Sequence, residues 1–145
     1  MRIYLDNCCY NRPFDDQSFD RIYLESEAIL SILNRGYQGI DTIIGSTILT
    51  IEMQHLKDET KQQKVLSLYG IADIIVPYSL EVKQRSQEIM SQSNIRTFDW
   101  LHIAAAEAGN ADYMLTTDDK LEKMSARLNL SVKVLNPLKY VCEVI

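Results

Sequence analysis

Apolar residues follow two alternating patterns along this chain. Short continuous apolar runs are typical of buried strands, whereas apolar residues at every third or fourth position are typical of amphipathic helices. The runs predict strands at residues 2–5, 42–45, 74–77, 113–116 and 132–135. The periodic segments predict helices at residues 18–34, 46–56, 60–69, 80–91, 97–108 and 120–128. This alternation predicts an α/β fold: a three-layer sandwich in which a mostly parallel central sheet of four to five strands is flanked by helices.

Several residues mark where these elements begin or end. Ser46 and Thr97 are predicted N-caps, because a side-chain oxygen at that position accepts a free backbone N–H of the first helical turn. Pro13 and the acids beside it predict a loop over residues 11–16. Pro137 is predicted to close the last strand. The helix after Thr97 is apolar on nearly every side, and we therefore expect it to be buried.

The composition limits the classes of protein to which the chain could belong. At 145 residues and 46% hydrophobic, residues 1–145 are expected to form one domain. No apolar run is long enough to cross a bilayer, and the first acid, at position 6, interrupts any signal peptide, so a cytoplasmic protein is expected. The three cysteines form neither a disulfide framework nor a zinc motif. A net charge of −5 argues against a dedicated nucleic-acid-binding module, but not against an enzyme that acts on nucleic acid.

Four carboxylates occur where predicted strands end or helices begin. They are Asp6, Glu52, Asp99 and Asp118. In a parallel α/β domain these positions lie along the carboxyl edge of the sheet, where acids distant in sequence can meet. Each acid alone has an ordinary explanation, such as a helix cap, a first-turn acid or a surface glutamate. Either Asp118 or Asp119 could cap the helix that follows while the other reaches the site. All four at matching places are much harder to explain in this way.

Four carboxylates in one place would repel each other and raise each other's pKa unless a cation joined them. Mg²⁺ or Mn²⁺ fits best, because both favour carboxylate and water ligands. The sequence therefore predicts an acidic metal site suited to phosphodiester chemistry. Asp6 and Asp99 are the expected direct ligands, while Glu52 and Asp118 are expected to bind through water or to act as a base. His102, in the apolar helix, is expected to be a packed or hydrogen-bonded residue.

These acids lie in four segments that together resemble the PIN-domain family of metal-dependent nucleases, and in size its VapC-like toxins. The segments are Ile3-Tyr4-Leu5-Asp6, residues 46–52, residues 97–104 and Leu115-Thr116-Thr117-Asp118. The resemblance implies a parallel sheet between helices and Mg²⁺ or Mn²⁺ held by the four acids. It also implies endoribonuclease activity and a toxin–antitoxin pair, with an RNA substrate, an antitoxin partner and a homodimer. The apolar face of residues 18–34 is one candidate surface for the antitoxin, although packing in the core explains those residues equally well.

The resemblance also concerns residues beside the acids. Thr116 matches a family position whose hydroxyl commonly supports the acidic site. Many family members have Ser, Thr or Asn two residues after the first aspartate, where this chain has Cys8; Asn7 is the alternative source of a polar contact. Arg12, in the loop beside Asp6, could contact a substrate phosphate or be an ordinary surface cation.

Two other classes of protein also remain possible. One is a phosphate-handling α/β protein, either a receiver domain or an aspartyl-phosphate phosphatase. Both fit poorly, because Asp6 is followed by Asn7 and Cys8 instead of the acid patterns that they need. The other is a non-catalytic interaction module that retains the fold and has lost the metal, although the presence of all four acids argues against it.

Overall fold

The computed structural model describes residues 1–93 and 97–145, with the side chain of Thr97 excepted. Its centre is a five-stranded sheet in which every pair of neighbours is parallel. The strands are β1 (Arg2–Leu5), β2 (Thr42–Ser46), β3 (Ile74–Val76), β4 (Tyr113–Leu115) and β5 (Lys133–Leu135). The predicted strands are therefore confirmed to within one or two residues.

Eight α-helices lie in the described part of the chain. They are α1 (Asn7–Asn11), α2 (Asp20–Tyr37), α3 (Thr47–Gln54), α4 (Glu59–Tyr69), α5 (Leu80–Ser91), α6 (Thr97–Ala108), α7 (Asp119–Ser125) and α8 (Pro137–Glu143). Ser46 caps α3 as predicted, since its hydroxyl oxygen accepts the backbone N–H of Leu49 at 3.1 Å. The predicted cap at Thr97 concerns a side chain outside the described residues. Helix α6 begins at that residue.

The strand order is β3-β2-β1-β4-β5, and it determines where a site can form. The chain moves outward from β1 to β3, then crosses to β4 and moves outward in the other direction. Because crossovers between parallel strands are right-handed, the helices that follow β1 and β2 cover one face of the sheet, and those that follow β3 and β4 cover the other. Helix α2 packs on β2 from one side, and α6 packs on β2, β3 and β4. The predicted three-layer sandwich is confirmed, with its topological switch point between β1 and β4.

The close contact between α6 and the sheet explains one glycine. A Cβ atom at Gly109, just after α6, would lie 2.8 Å from Val76 Cγ2 and 2.9 Å from Ile44 Cγ2. Only a residue without a side chain allows the end of this helix to approach β2 and β3 so closely. The centre of α6 is buried, as predicted, through Ile103 and the alanines at 104–106.

Two predictions of local structure were wrong. The segment predicted as a loop begins with the end of α1 and a 3₁₀ turn at Arg12–Phe14, because Asp6 caps α1 and a proline is compatible with the first turn of a helix. Pro137 does not merely close the last strand: it is the first residue of α8, and the side chain of Asn136 caps that helix. A proline at the first position of a helix loses no hydrogen bond.

Candidate metal centre

Three of the four predicted acids lie just after a strand or in the first turn of a helix, whereas Glu52 is the sixth of the eight residues of α3. Asp6 directly follows β1 and Asp118 follows β4 after two residues, while Glu52 lies in α3 and Asp99 in the first turn of α6. All four line one open cleft of about 370 Å³. The cleft lies at the carboxyl edge of the sheet beside the switch point, the usual place for a ligand site in an open α/β sheet.

Asp6 is the most firmly fixed of these acids. It is only 6% exposed, and its Oδ1 accepts the backbone N–H of Asn7 at 2.7 Å. The Thr116 hydroxyl donates to the other oxygen, Oδ2, at 3.1 Å, and itself accepts the backbone N–H of Asp118 at 3.1 Å. This arrangement follows from the sheet register, because Leu5 is paired with Leu115. Thr116 thus connects the two acids that follow β1 and β4.

The two residues after Asp6 contribute differently from each other. Asn7 lines the cleft and gives Asp6 its backbone N–H, but its side-chain oxygen accepts from Asn11 Nδ2 at 3.0 Å. The Cys8 thiol, by contrast, lies 3.5 Å from Asp6 Oδ2 and 3.5 Å from the Thr116 hydroxyl. A weak thiol donor therefore stands where the family resemblance implies a hydroxyl or an amide.

Glu52 is joined to a residue that sequence reasoning treated only as a packed or hydrogen-bonded histidine. His102, 1% exposed, hydrogen-bonds Glu52 Oε1 through Nε2, and the same nitrogen lies 3.8 Å from Asp6 Oδ1. Its other nitrogen, Nδ1, is 2.6 Å from the hydroxyl of Tyr4. Asp6, Glu52 and His102 each place one possible ligand atom within 4.8 Å of the other two. The available signal was the three-residue spacing between Asp99 and His102, which places both on one side of α6.

The electrostatics of the cleft reveal uncompensated negative charge. The pKa of Asp99 is raised to about 6, first by burial and then by the charges of Asp6 and Asp118, with a partial offset from His102. The pKa of His102 is also raised: burial acts to lower it, but the hydrogen bond to Glu52 and the charges of Asp6 and Asp99 outweigh that effect. Both shifts show that the cleft favours added positive charge.

A divalent cation fits this donor set. Several carboxylate oxygens converge on one small, partly buried cleft, which is the ligand chemistry that Mg²⁺ and Mn²⁺ prefer. The pKa of Asp99 is raised first by burial and then by the charges of Asp6 and Asp118, and a bound cation would offset the repulsion between these acids.

The structure separates the roles of the neighbouring acids Asp118 and Asp119. Asp118 lines the cleft, and its Oδ1 also caps α7 by accepting the backbone N–H groups of Lys120 and Leu121. Asp119 instead makes two hydrogen bonds, of 2.7 and 2.8 Å, with the guanidinium of Arg21. Asp118 is thus both a cap and a cleft residue, whereas Asp119 is engaged by a cation of α2.

Two cations lie on the rim of the cleft. Arg12 and Lys61 both line it, and each is paired with Asp15, at 3.3 and 3.0 Å respectively. Arg12 Nε also lies 3.3 Å from Glu25, which is fully buried on α2 and accepts a 2.6 Å hydrogen bond from Asn136. Sequence reasoning named Arg12 but missed Lys61 and Glu25, since neither belongs to a pattern that distinguishes it from an ordinary surface or helix residue.

Comparisons with known proteins identify the fold. The sequence matches no protein-family model and no curated protein. The structure is similar to a chain of VapBC2 from Rickettsia felis, solved bound to a DNA fragment from their promoter, with 18% identity and a TM-score of 0.61. It is also similar to a chain of VapBC-1 from nontypeable Haemophilus influenzae, with 14% identity and a TM-score of 0.60. Each match covers 94% of this chain and 98% of the other. The PIN-like architecture is thereby confirmed.

The topology also bears on the receiver-domain alternative. Receiver domains have the strand order 2-1-3-4-5, in which the switch point lies between the first and third strands. The order here is 3-2-1-4-5, and it places the switch point between the first and fourth strands. That alternative is therefore disfavoured by topology as well as by sequence.

No helix within residues 1–93 and 97–145 is long and apolar enough to span a membrane.

Proposed function

We propose that this chain is a divalent-metal-dependent endoribonuclease of the PIN-domain type that hydrolyses RNA phosphodiester bonds, and that it is the toxin of a toxin–antitoxin pair. One observation carries the proposal: four acids converge at the switch point of a fold shared with chains of two VapBC complexes. Neither the acids nor the fold would suffice alone, because one fold hosts many functions and acidic clusters are common on proteins.

The proposed metal ligands are Asp6, Glu52, Asp99 and Asp118, with Mg²⁺ or Mn²⁺ as the ion. Thr116 supports Asp6 by its 3.1 Å hydrogen bond and thereby keeps one carboxylate oxygen in a fixed position. Asn7 supports the same acid through its backbone N–H.

The bound ion would supply a water of lowered pKa and would neutralise charge on the phosphate oxygens during attack. The protein residues place the reacting groups around it. Glu52, held beside Asp6, is positioned to take a proton from the attacking water. Arg12 on the rim can meet a phosphate oxygen with its guanidinium, and Lys61 adds a second positive charge.

The net charge of −5 is compatible with this role. The rim cations are few and are paired with Asp15, so each phosphate contact is weak and product can leave. We therefore expect an enzyme that binds RNA through the site and a short flanking stretch, with an affinity that falls as salt rises.

The decisive test is cleavage of mixed structured RNAs by purified protein in Mn²⁺ or Mg²⁺. Asp6→Asn is the active-site variant, Asp20→Asn on the exposed start of α2 is the matched control, and EDTA removes the ion. Cleavage that requires metal and Asp6 but not Asp20 supports the proposal. If the folded protein binds Mn²⁺ and cuts no RNA, the nuclease proposal is wrong; if it also binds no metal, the non-catalytic module is favoured.

The toxin proposal includes an antitoxin partner, a homodimer and a cytoplasmic location. The antitoxin partner is supported by an exposed apolar stripe along α2. The stripe is formed by Phe19, Tyr23, Leu30 and Tyr37, whose spacing of four and seven residues places them along one side of the helix. A stripe of this kind suits an amphipathic segment of a partner protein.

Induced expression in bacteria tests this part. We expect growth arrest with the native chain and normal growth with Asp6→Asn at equal protein levels. Light scattering of the purified Asp6→Asn protein measures the oligomeric state, for which a dimer is expected. Normal growth with an active native chain would argue for a nuclease outside a toxin–antitoxin pair.

A further inference from the structure

A buried hydrogen-bond chain runs from the sheet into the acidic cleft. It joins Ser46 at the end of β2, Tyr4 on β1, His102 on α6 and Glu52 on α3. The Ser46 hydroxyl is 2.7 Å from the Tyr4 hydroxyl, and that hydroxyl is 2.6 Å from His102 Nδ1. His102 Nε2 then contacts the carboxylate of Glu52. Ser46, Tyr4 and His102 are each at most 1% exposed, so water cannot satisfy their polar atoms.

When His102 is neutral, the direction of the chain follows from its two ends. At one end, the Ser46 oxygen already accepts the backbone N–H of Leu49, and its own hydrogen has an acceptor in Tyr4. At the other end, an ionised carboxylate can only accept, so Nε2 must carry the hydrogen that faces Glu52. Both ends give the same order: Ser46 donates to Tyr4, Tyr4 donates to His102 Nδ1, and His102 Nε2–H donates to Glu52.

The reverse order would be costly. If Nδ1 carried the only ring hydrogen, Nε2 would turn its lone pair toward the oxygens of Glu52. The Tyr4 hydroxyl would then donate to Ser46, whose own hydrogen would lose its acceptor in a fully buried position. Unsatisfied buried donors are strongly disfavoured, so the chain selects one tautomer.

We propose that His102 is a positioning residue that holds Glu52 beside Asp6 through an Nε2–H hydrogen bond, with Tyr4 and Ser46 fixing its tautomer. The inference rests on the proposed function in that Glu52 is taken as a metal ligand. Without this hydrogen bond, the Glu52 carboxylate, which is partly exposed, would turn toward solvent and away from the charge of Asp6. Ser46 has a second role, because the same hydroxyl caps the helix that carries Glu52.

Two amide variants of His102 separate this role from simple packing. In His102→Gln the amide nitrogen lies near the position of Nε2 and can still donate to Glu52. In His102→Asn the shorter side chain can accept from Tyr4, but it cannot reach Glu52. We expect Mn²⁺ affinity to fall about 10–100-fold in His102→Asn, as for other groups that orient metal ligands, and to remain close to native in His102→Gln. Mn²⁺ binding is measured by electron paramagnetic resonance without RNA, and thermal unfolding confirms that both variants are folded.

The tautomer is tested in the metal-free protein by ¹⁵N nuclear magnetic resonance of the histidine rings in alkaline buffer. The chain has only two histidines, so His55→Gln assigns the His102 signals. We expect hydrogen on Nε2 and none on Nδ1, and we expect Tyr4→Phe to weaken this selection.

Several outcomes would overturn the inference. They are an Nδ1–H tautomer in the native protein, equal Mn²⁺ affinity in both amide variants and the native protein, and a directly bound nitrogen in pulsed resonance spectra of the Mn²⁺ complex. The last would make His102 a ligand. If the native protein bound no Mn²⁺, both this inference and the nuclease proposal would fail. If it bound Mn²⁺ with the expected pattern but cut no RNA, only the nuclease proposal would fail.

Discussion

The two ends of helix α6 hold acids with opposite electrostatic surroundings. Asp99, in the first turn, faces Asp6 and Asp118, and its pKa is raised to about 6. Glu107, in the last turn, accepts from Arg85 Nε at 2.7 Å and from the backbone N–H of Ser131 at 2.8 Å. The pKa of Glu107 is lowered: burial acts to raise it, but Arg85 and Ser131 outweigh that effect.

The helix dipole alone predicts the opposite shifts, a lowered pKa for Asp99 and a raised pKa for Glu107. Negative charge is favoured at the start of a helix and disfavoured at its end. The surroundings of each acid therefore decide whether its pKa is raised or lowered. Burial and like charges outweigh the helix dipole at Asp99, and Arg85 outweighs it at Glu107. The charge of Glu107 is compensated within the protein and stabilises the fold, whereas the charge of Asp99 is not compensated and favours a bound cation.

The largest expected effect comes from neutralising the two acids separately. Asp99→Asn should lower metal-dependent RNA cleavage by about 100-fold or more, because it removes a proposed ligand of the ion that neutralises charge in the transition state. The metal-free protein should be at least as stable as the native one. Glu107→Gln should do the opposite: it should cost about 1–3 kcal/mol of unfolding free energy, because Arg85 and Ser131 lose a charged acceptor, and leave cleavage per folded molecule unchanged. Cleavage rates and urea unfolding in EDTA measure both. A loss of stability in Asp99→Asn would contradict the comparison.

The second effect is stabilisation by metal. Mn²⁺ at about 100 times its dissociation constant should raise the free energy of unfolding by about 2.7 kcal/mol, because it binds only the folded protein. Thermal unfolding with Mn²⁺, and again after EDTA, measures the gain. The gain should disappear in Asp6→Asn and persist in Glu107→Gln. A similar gain in all three proteins would indicate that the ion binds elsewhere.

The third effect is the pH dependence of the metal-free protein. Because the pKa of Asp99 is about 6 when folded and about 4 when unfolded, the folded state binds more protons between these values. Asp99 therefore makes stability fall as pH rises from about 4 to 6, by on the order of 1 kcal/mol, because the carboxyl is partly exposed and solvent screens its charge. Glu107, with a lowered pKa, makes stability fall as pH decreases below its unfolded value, near 4.3.

Urea unfolding in EDTA across this range separates the two contributions. The slope between pH 4 and 6 should flatten in Asp99→Asn, and the loss on the acid side should shrink in Glu107→Gln. A slope unchanged by Asp99→Asn would show that the pKa of Asp99 is not raised in the folded protein.

The smallest effects concern Asp118 and Asp119. Asp119→Asn removes an exposed ion pair with Arg21, which typically contributes less than about 1 kcal/mol, and should leave cleavage unchanged. Asp118→Asn should preserve stability, since asparagine caps helices about as well as aspartate, but should lower cleavage. Urea unfolding and RNA cleavage of the two variants measure this contrast. Equal losses of cleavage would mean that both acids serve the site.

Much of the fold could be predicted because the patterns that encode it are local. The five strands are short apolar runs, and α6 has an almost continuous apolar surface, so neither depends on distant residues for its identification. The errors occurred where a single side chain outweighs the general pattern: Asp6 begins α1 in a segment that otherwise resembles a loop, and Asn136 begins α8 beside a proline.

The sequence by itself determined the alternation of strands and helices, and hence that four acids would lie along one edge of a parallel sheet. Only the tertiary structure decided which groups surround each acid. It brings His102 between Glu52 and Tyr4, directs Asp119 to Arg21 instead of the cleft, and places Lys61 on the rim. The reason is physical: periodicity records which face of an element is buried, but hydrogen bonds and pKa shifts depend on contacts within a few ångströms between residues up to about a hundred positions apart.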